Sequence, residues 1–230
     1  MTPDINRQDN DKLLTISFRK CCEKGIKDLN TESIISDTTA PFSASTVFLE
    51  TPRLLLRPLA AEDWRDLYVT LTDAEIADLT GWQPVRSEQE AQKYIAESSE
   101  KDDTLAVVLR ETMKTVGTFS VQERPWEEYP VDRSLHGREF GFDLCRSLWG
   151  NGLMPEAVAA MCGYCFRDLK FDFITCGHFQ RNVRSGHTIE KCGFMFLYQA
   201  DRRLPTGKTE NILTYIRYSP INLKGEIQHV

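Results

Sequence analysis

Residues 139–169, EFGFDLCRSLWGNGLMPEAVAAMCGYCFRDL, constrain the fold more than any other stretch of the 230-residue chain. They read as a short apolar strand, a tight loop and an amphipathic helix in direct succession, with positions 157, 158, 161, 162, 165, 166 and 169 apolar at helical spacing. Pro155 suits the first turn of that helix, where its missing N–H costs little. Gly150 and Gly152 flank Asn151 at the turn, and a backbone without Cβ atoms lets N–H groups converge on a ligand. First-turn amides have no partner within their own helix and sit at its positive end, so a phosphate or pyrophosphate is the matching guest. The spacing is not that of a P-loop, which needs Gly-Lys-Ser/Thr, nor of the three-glycine dinucleotide fingerprint. Taken alone, Gly-x-Gly also fits an ordinary strand-to-helix turn.

A second segment, residues 173–194, FITCGHFQRNVRSGHTIEKCGF, reads as strand, polar turn and helix, with Gly193 in the C′ place. Trp149-Gly150-Asn151-Gly152, Glu156-Ala157, Asn182 with Ser185 three residues on, and Glu190-Lys191-Cys192-Gly193-Phe194 carry a resemblance to the GNAT superfamily of N-acetyltransferases. The match is nearest to the branch with the ribosomal-protein N-terminal acetyltransferases, the RimJ/RimL-like enzymes. It extends from Leu49 to about Tyr218 and not over the first forty-odd residues. The fold it implies is α/β (α+β), a GNAT fold with one mixed, mostly antiparallel sheet of six to seven strands flanked by helices. Residues 1–47, polar and ending in a Ser/Thr-rich run, read as a poorly packed extension or linker. Residues 48–220 form the acetyltransferase domain, and 221–230 a tail.

Residues 61–71 carry Trp64, Leu67, Tyr68 and Leu71 at helical spacing, and Ser87 with Glu90 predicts a capped helix to about residue 99. Residues 104–110 and 115–122 read as a hairpin, and residues 194–200 and 212–219 as an antiparallel pair with a loop at 201–211. Trp126 and Tyr129, in the loop before the motif strand, are candidate acceptor-side aromatics or edge packing.

A net charge of −6 and a pI near 5.4 argue against nucleic-acid binding, which shows a basic surplus. No apolar run approaches the roughly 18 residues of a membrane span, and the N-terminus lacks an apolar signal core, so the expectation is a cytoplasmic protein with no membrane partner. The seven cysteines, at 21, 22, 145, 162, 165, 176 and 192, lack framework spacing and read as free thiols. Cys162 and Cys165 fall on the apolar face of a helix, where packing explains them better than metal or redox work.

The resemblance implies acetyl-CoA as co-substrate, with no metal. Its pyrophosphate falls to the amides of Gly150, Asn151, Gly152, Leu153 and Met154, and its pantetheine arm to the backbone of Phe142, Asp143 and Leu144, one amide of which faces the thioester oxygen. The family often places Gln or Arg three residues before the first glycine; here that residue is Ser147, beside Arg146. Asn182 is implied as a pantetheine partner and Ser185 as a donor to the leaving thiolate, although both residue types also cap helices. Glu139 is the candidate base and Tyr198 the candidate general acid. Asp143, Asp201, Glu210, His178 and His187 stand behind them. The acceptor is a small-molecule amine or a peptide or protein N-terminal amine, because an α-amine with pKa about 7.7 to 8.0 is far more often neutral than a lysine. The assembly is expected to be a monomer or homodimer. Two rivals stay open: a catalytically silent acyl-CoA-binding sensor or scaffold, and a nucleotide-binding α/β domain.

Overall fold

The computed structural model describes residues 41–123, 130–132, 134–204 and 206–221. Trp126, Tyr129, Cys21 and Cys22 lie outside them. The chain divides into two units after Thr38, and the described residues all belong to the second, Thr39–Val230.

Eight strands run β1 Leu49–Glu50, β2 Leu54–Pro58, β3 Thr104–Leu109, β4 Lys114–Gln122, β5 Gly137–Leu144, β6 Phe173–Phe179, β7 Met195–Arg203 and β8 Thr209–Tyr218. Among the described residues five α-helices accompany them: α1 Trp64–Leu71, α2 Ala74–Thr80, α3 Glu88–Glu100, α4 Leu153–Arg167 and α5 Val183–Lys191. The strand order is β1-β2-β3-β4-β5-β6-β8-β7, and only the β5–β6 pair is parallel. The sheet is mixed and mostly antiparallel, with one more strand than the upper expectation.

Strand alternation divides the apolar residues between two layers. Leu105 and Val107 of β3 join Phe119, Phe140 and the α4 residues Ala157, Met161 and Cys165 on one face. Ala106 and Val108 join Leu67 of α1 and Ala91 and Ile95 of α3 on the other. Covered on both faces, β3 is a continuous apolar run. Cys162 and Cys165 sit in the core, and burial pushes the Cys162 thiol up to about 12. That is packing chemistry, not reactivity.

The start of the domain falls earlier than residue 48. Ala44 and Val47 are buried in the α4-side core with Phe42 against them, and Ala44 N–H donates to Asp102 C=O at 2.9 Å. The Ser/Thr-rich look of this segment hid its two apolar anchors. The last two strands also run further than expected, so much of 201–211 is ladder, with Arg202↔Glu210 and Arg203↔Thr209 in register.

A buried ion pair fixes the entry to α1. Asp63, 5% exposed, accepts from Arg57 through both oxygens at 2.7 Å, from Thr115 Oγ1 at 2.6 Å and from Ala60 N–H at 2.7 Å. Desolvation pushes the carboxyl up, but these hydrogen bonds outweigh it and hold it below the ordinary carboxylate range. Asp63→Ala strands Arg57 and Thr115 and is expected to cost about 3 kcal/mol. Thermal unfolding should show a Tm lower by roughly 6–12 °C.

The feature that creates the site is a fork between the two parallel strands. β5 and β6 pair only from Gly137↔Phe173 to Phe140↔Cys176. Beyond that, residues 141–144 stay with β4 while residues 177–179 stay with β8, so β5 shows an edge in mid-sheet that has no β6 partner. The loops leading into α4 and α5 both start at this fork.

Candidate active site

The loop from Cys145 to Gly152 is built to face its amides outward. Gly150 has φ +80° and Gly152 φ +71°, and no atom outside the local chain lies within 4 Å of where a Cβ on Gly150 would stand. Arg53, from the segment before β2, donates to the carbonyls of Asn151 at 2.8 Å and Gly152 at 3.1 Å. With the carbonyl ends bound there, the opposite N–H ends are left for a ligand. Glu156 in the first turn of α4 steadies Arg53, accepting from its Nε at 2.7 Å, its backbone N–H at 2.9 Å and Thr51 Oγ1 at 2.6 Å. Desolvation pushes the Glu156 carboxyl up, but these donors hold it below its usual range. Asn151 turns its side chain to Leu148 C=O at 3.1 Å. Pro155 has no N–H, so the free first-turn donors of α4 are those of Leu153 and Met154.

A cleft of about 280 Å³ opens beneath this loop and along the fork. Phe142, Asp143 and Leu144 form one wall, Gly150, Gly152, Leu153 and Met154 its head, and Asn182 and Ser185 the opposite wall. The expected cofactor residues, Asn151 excepted, therefore converge on one cavity. Backbone direction divides the β5 trio. Cys145 N–H donates across to Val116 C=O of β4 at 2.7 Å, and Leu144 C=O accepts the Trp149 indole N–H at 2.7 Å. Successive strand residues turn their amides to opposite edges, so Phe142 and Leu144 face the open side and Asp143 faces β4. A Cβ on Gly117 of β4 would stand 2.2 Å from Asp143 C=O, in keeping with that direction. Asp143 lines the cleft with its amide turned to β4, a correction to the backbone role expected of it.

Asn182 caps α5: its Oδ1 accepts from Ser185 N–H at 3.2 Å while its Nδ2 donates to Leu79 C=O at 3.1 Å. That second bond ties α5 to α2, which roofs the cleft with Ile76, Leu79 and Thr80. Charged clamps hold both ends of this roof. Arg146 bonds Asp73 at 2.9 Å and Glu75 at 2.8 Å, while Arg181 bonds Asp78 at 2.5 Å and Glu210 at 3.0 Å. Arg146 is therefore a roof clamp and not among the residues lining the cleft. Sequence reasoning missed α2, although Asp73 as N-cap and Gly81 at φ +87° as C-cap mark both its ends. It also missed Arg53 and the lining side chains Trp149, Arg184, Thr188 and Lys191. Arg184 lies 5.4 Å from the centre of the Trp149 ring. With Lys191 also in the lining and Asp143 the one carboxylate there among the described residues, the cleft suits an anionic guest.

The expected acid–base residues separate. Glu139 lies in the stretch of β5 still paired with β6, opposite Thr175, below the fork and outside the cleft lining. Tyr198 is on β7, the outermost strand, which among the described residues pairs only with β8. Neither sequence position revealed this, because the fork and the strand order are tertiary features. Asp201 and Glu210 are engaged by Asn211 at 2.9 Å and by Arg181, and neither lines the cleft. His178 is buried, its Nδ1–H donating to Phe179 C=O at 2.8 Å and its ring against Gly186; His187 lines the cleft. Asp143 also lines it. Burial pushes its carboxyl up to about 6, although it accepts from Thr118 N–H at 3.2 Å and from the Thr118 hydroxyl.

Among the described residues no group of three or more His, Cys, Asp and Glu side chains comes together to hold a metal, and no helix is long and apolar enough to cross a membrane. The family model described as acetyltransferase (GNAT) domain matches residues 53–195. The uncharacterized N-acetyltransferase YoaA of Bacillus subtilis (strain 168) is 24% identical over 151 residues, covering 64% of this chain and 81% of YoaA. A GNAT-family acetyltransferase of Bacillus anthracis superposes with a TM-score of 0.66 at 20% identity, over 75% of this chain and 99% of that one. A putative ribosomal-protein-serine acetyltransferase of Vibrio cholerae gives 0.63 at 20% identity, over 76% and 99%. With a matching model that spans the fork, the loop and both flanking helices, the chain belongs to the GNAT acetyltransferase family and is an N-acetyltransferase.

Proposed function

We propose that the chain transfers the acetyl group of acetyl-CoA to a primary amine by direct attack on the thioester, the acceptor being a protein N-terminal α-amine or a small-molecule amine. The observation that carries this reading is the fork: an open strand edge, roofed by α2, that leads from a Gly-Asn-Gly loop with outward amides into a closed sheet. The diphosphate falls to the amides of Gly150, Asn151, Gly152, Leu153 and Met154, at the positive end of α4. The pantetheine arm runs along Phe142 and Leu144 as an added strand would. Bound acetyl-CoA supplies the activated acyl group. Ser185, in the first turn of α5, stands in the cleft wall to donate to the departing thiolate. Asn182 acts by holding α5 and α2 in register.

The blocks around Gly150 and Asn182 support a place in the RimJ/RimL-like branch, and an α-amine is the acceptor most readily found neutral at physiological pH. The test is release of free thiol from acetyl-CoA with peptides bearing free Ser or Ala N-termini and with small primary amines. Amine-dependent release is expected. Binding of acetyl-CoA without release against any acceptor would make the chain a sensor.

A further inference from the structure

We propose that Asp143 is the proton acceptor for the attacking amine, in the role that the strand-end Glu139 had been expected to fill; this rests on the transfer reading above. Asp143 is a carboxylate in the cleft wall, on the stretch of β5 beyond the fork, between Phe142 and Leu144, whose amides face the open edge. A thioester lying along that edge passes beside the residue between them.

Its surroundings hold the carboxylate without neutralising it. Two donors of Thr118 on β4, the N–H and the hydroxyl, orient it, and no cation pairs with it among the described residues. The hydroxyl of Tyr94 on α3 is the titratable group that faces it from the helical layer; burial and then the Asp143 charge push that hydroxyl up to about 12, so it stays neutral. Asp103 lies beyond Tyr94, and Glu139 is four residues back on the same face of β5. The cleft also admits Arg184, His187 and Lys191 from α5, while the α2 roof residues Ile76, Leu79 and Thr80 carry no charge. Burial pushes Asp143 up to about 6, above an exposed aspartate, so at neutral pH it is ionised yet holds a proton well.

The step balances as follows. The acceptor ammonium gives one proton to an Asp143 oxygen and becomes the free amine. Its nitrogen forms a bond to the thioester carbonyl carbon, and the C–S bond breaks. The second nitrogen proton goes to the leaving thiolate by way of Ser185, giving the amide and free CoA. Asp143 then returns its proton to water.

The experiment uses the full chain, acetyl-CoA, and whichever member of the Ser-peptide, Ala-peptide and small-amine panel the wild type turns over best. Asp143→Asn keeps the Thr118 contacts and should lower kcat at least about a hundredfold, with acetyl-CoA affinity by calorimetry changed less than about threefold. Thr118→Val removes the hydroxyl that favours the charged form. It should move the acid limb of the kcat/KM profile, near pH 6 in the wild type, upward by about one unit. A carboxylate that merely braces β4 against β5 would leave that limb in place. Asp143→Asn retaining more than about a tenth of wild-type kcat, or an unmoved limb in Thr118→Val, overturns the assignment. Wild-type protein that turns over no amine removes the transfer reading itself, and this one with it.

Discussion

Gly152→Val is expected to leave a folded protein whose affinity for acetyl-CoA falls at least about a hundredfold, a loss of about 2.7 kcal/mol. Gly152 sits at φ +71° as N-cap of α4, and the nearest atom to a Cβ there, outside the local chain, is Arg53 Nη2 at 3.7 Å, an ordinary contact. The protein itself has room for the side chain. The obstacle is conformational, because a β-branched residue is strained in the left-handed region by about 1–3 kcal/mol and relieves that strain by rotating the peptide. Rotation pulls the Gly152 carbonyl from Arg53 and swings the Leu153 and Met154 amides away from their common focus. Asn151→Ala gives the contrast: among the described residues its side chain bonds only Leu148 C=O, so affinity should change by less than about threefold. Isothermal titration with acetyl-CoA, beside circular dichroism to confirm folding, checks both.

Much of this architecture is written locally. The helical spacing of positions 157–169 gives α4 its buried stripe, the Gly150 and Gly152 pair marks the anion loop, and Ser87 caps α3, accepting from Glu90 N–H at 3.2 Å. Asn182 shows where local reading reaches its limit. Its capping bond to Ser185 could be read from a three-residue spacing, but its bond to Leu79 joins residues 103 apart. Arg53, Arg146 and Arg181 were silent for the same reason, since their partners come from distant elements. The acid–base residues were the least legible. Glu139 and Asp143 are both carboxylates on one face of one strand, and what separates them is where β6 leaves β5. A register of that kind depends on how two strands twist apart, which no spacing within either strand records.

The second large effect concerns the co-substrate. Acetylpantetheine keeps the thioester and the extended arm but lacks the diphosphate, so it forfeits every contact to the loop. Two or three charge-assisted hydrogen bonds from backbone amides, each worth about 1.5–3 kcal/mol, together with the α4 dipole, put the loss near 4 kcal/mol. Wild-type protein should therefore bind acetylpantetheine about a thousandfold more weakly than acetyl-CoA. The arm itself still docks on Phe142 and Leu144, so residual binding at millimolar concentration is expected.

Measuring that preference in wild type and in Gly152→Val tests the assignment of the loop most directly, because the ratio cancels any general damage to the cleft. Wild type should favour acetyl-CoA about a thousandfold, and the variant by no more than about tenfold, its acetylpantetheine affinity nearly unchanged. Equal preference in both proteins would mean that the diphosphate is held elsewhere, and would contradict the account.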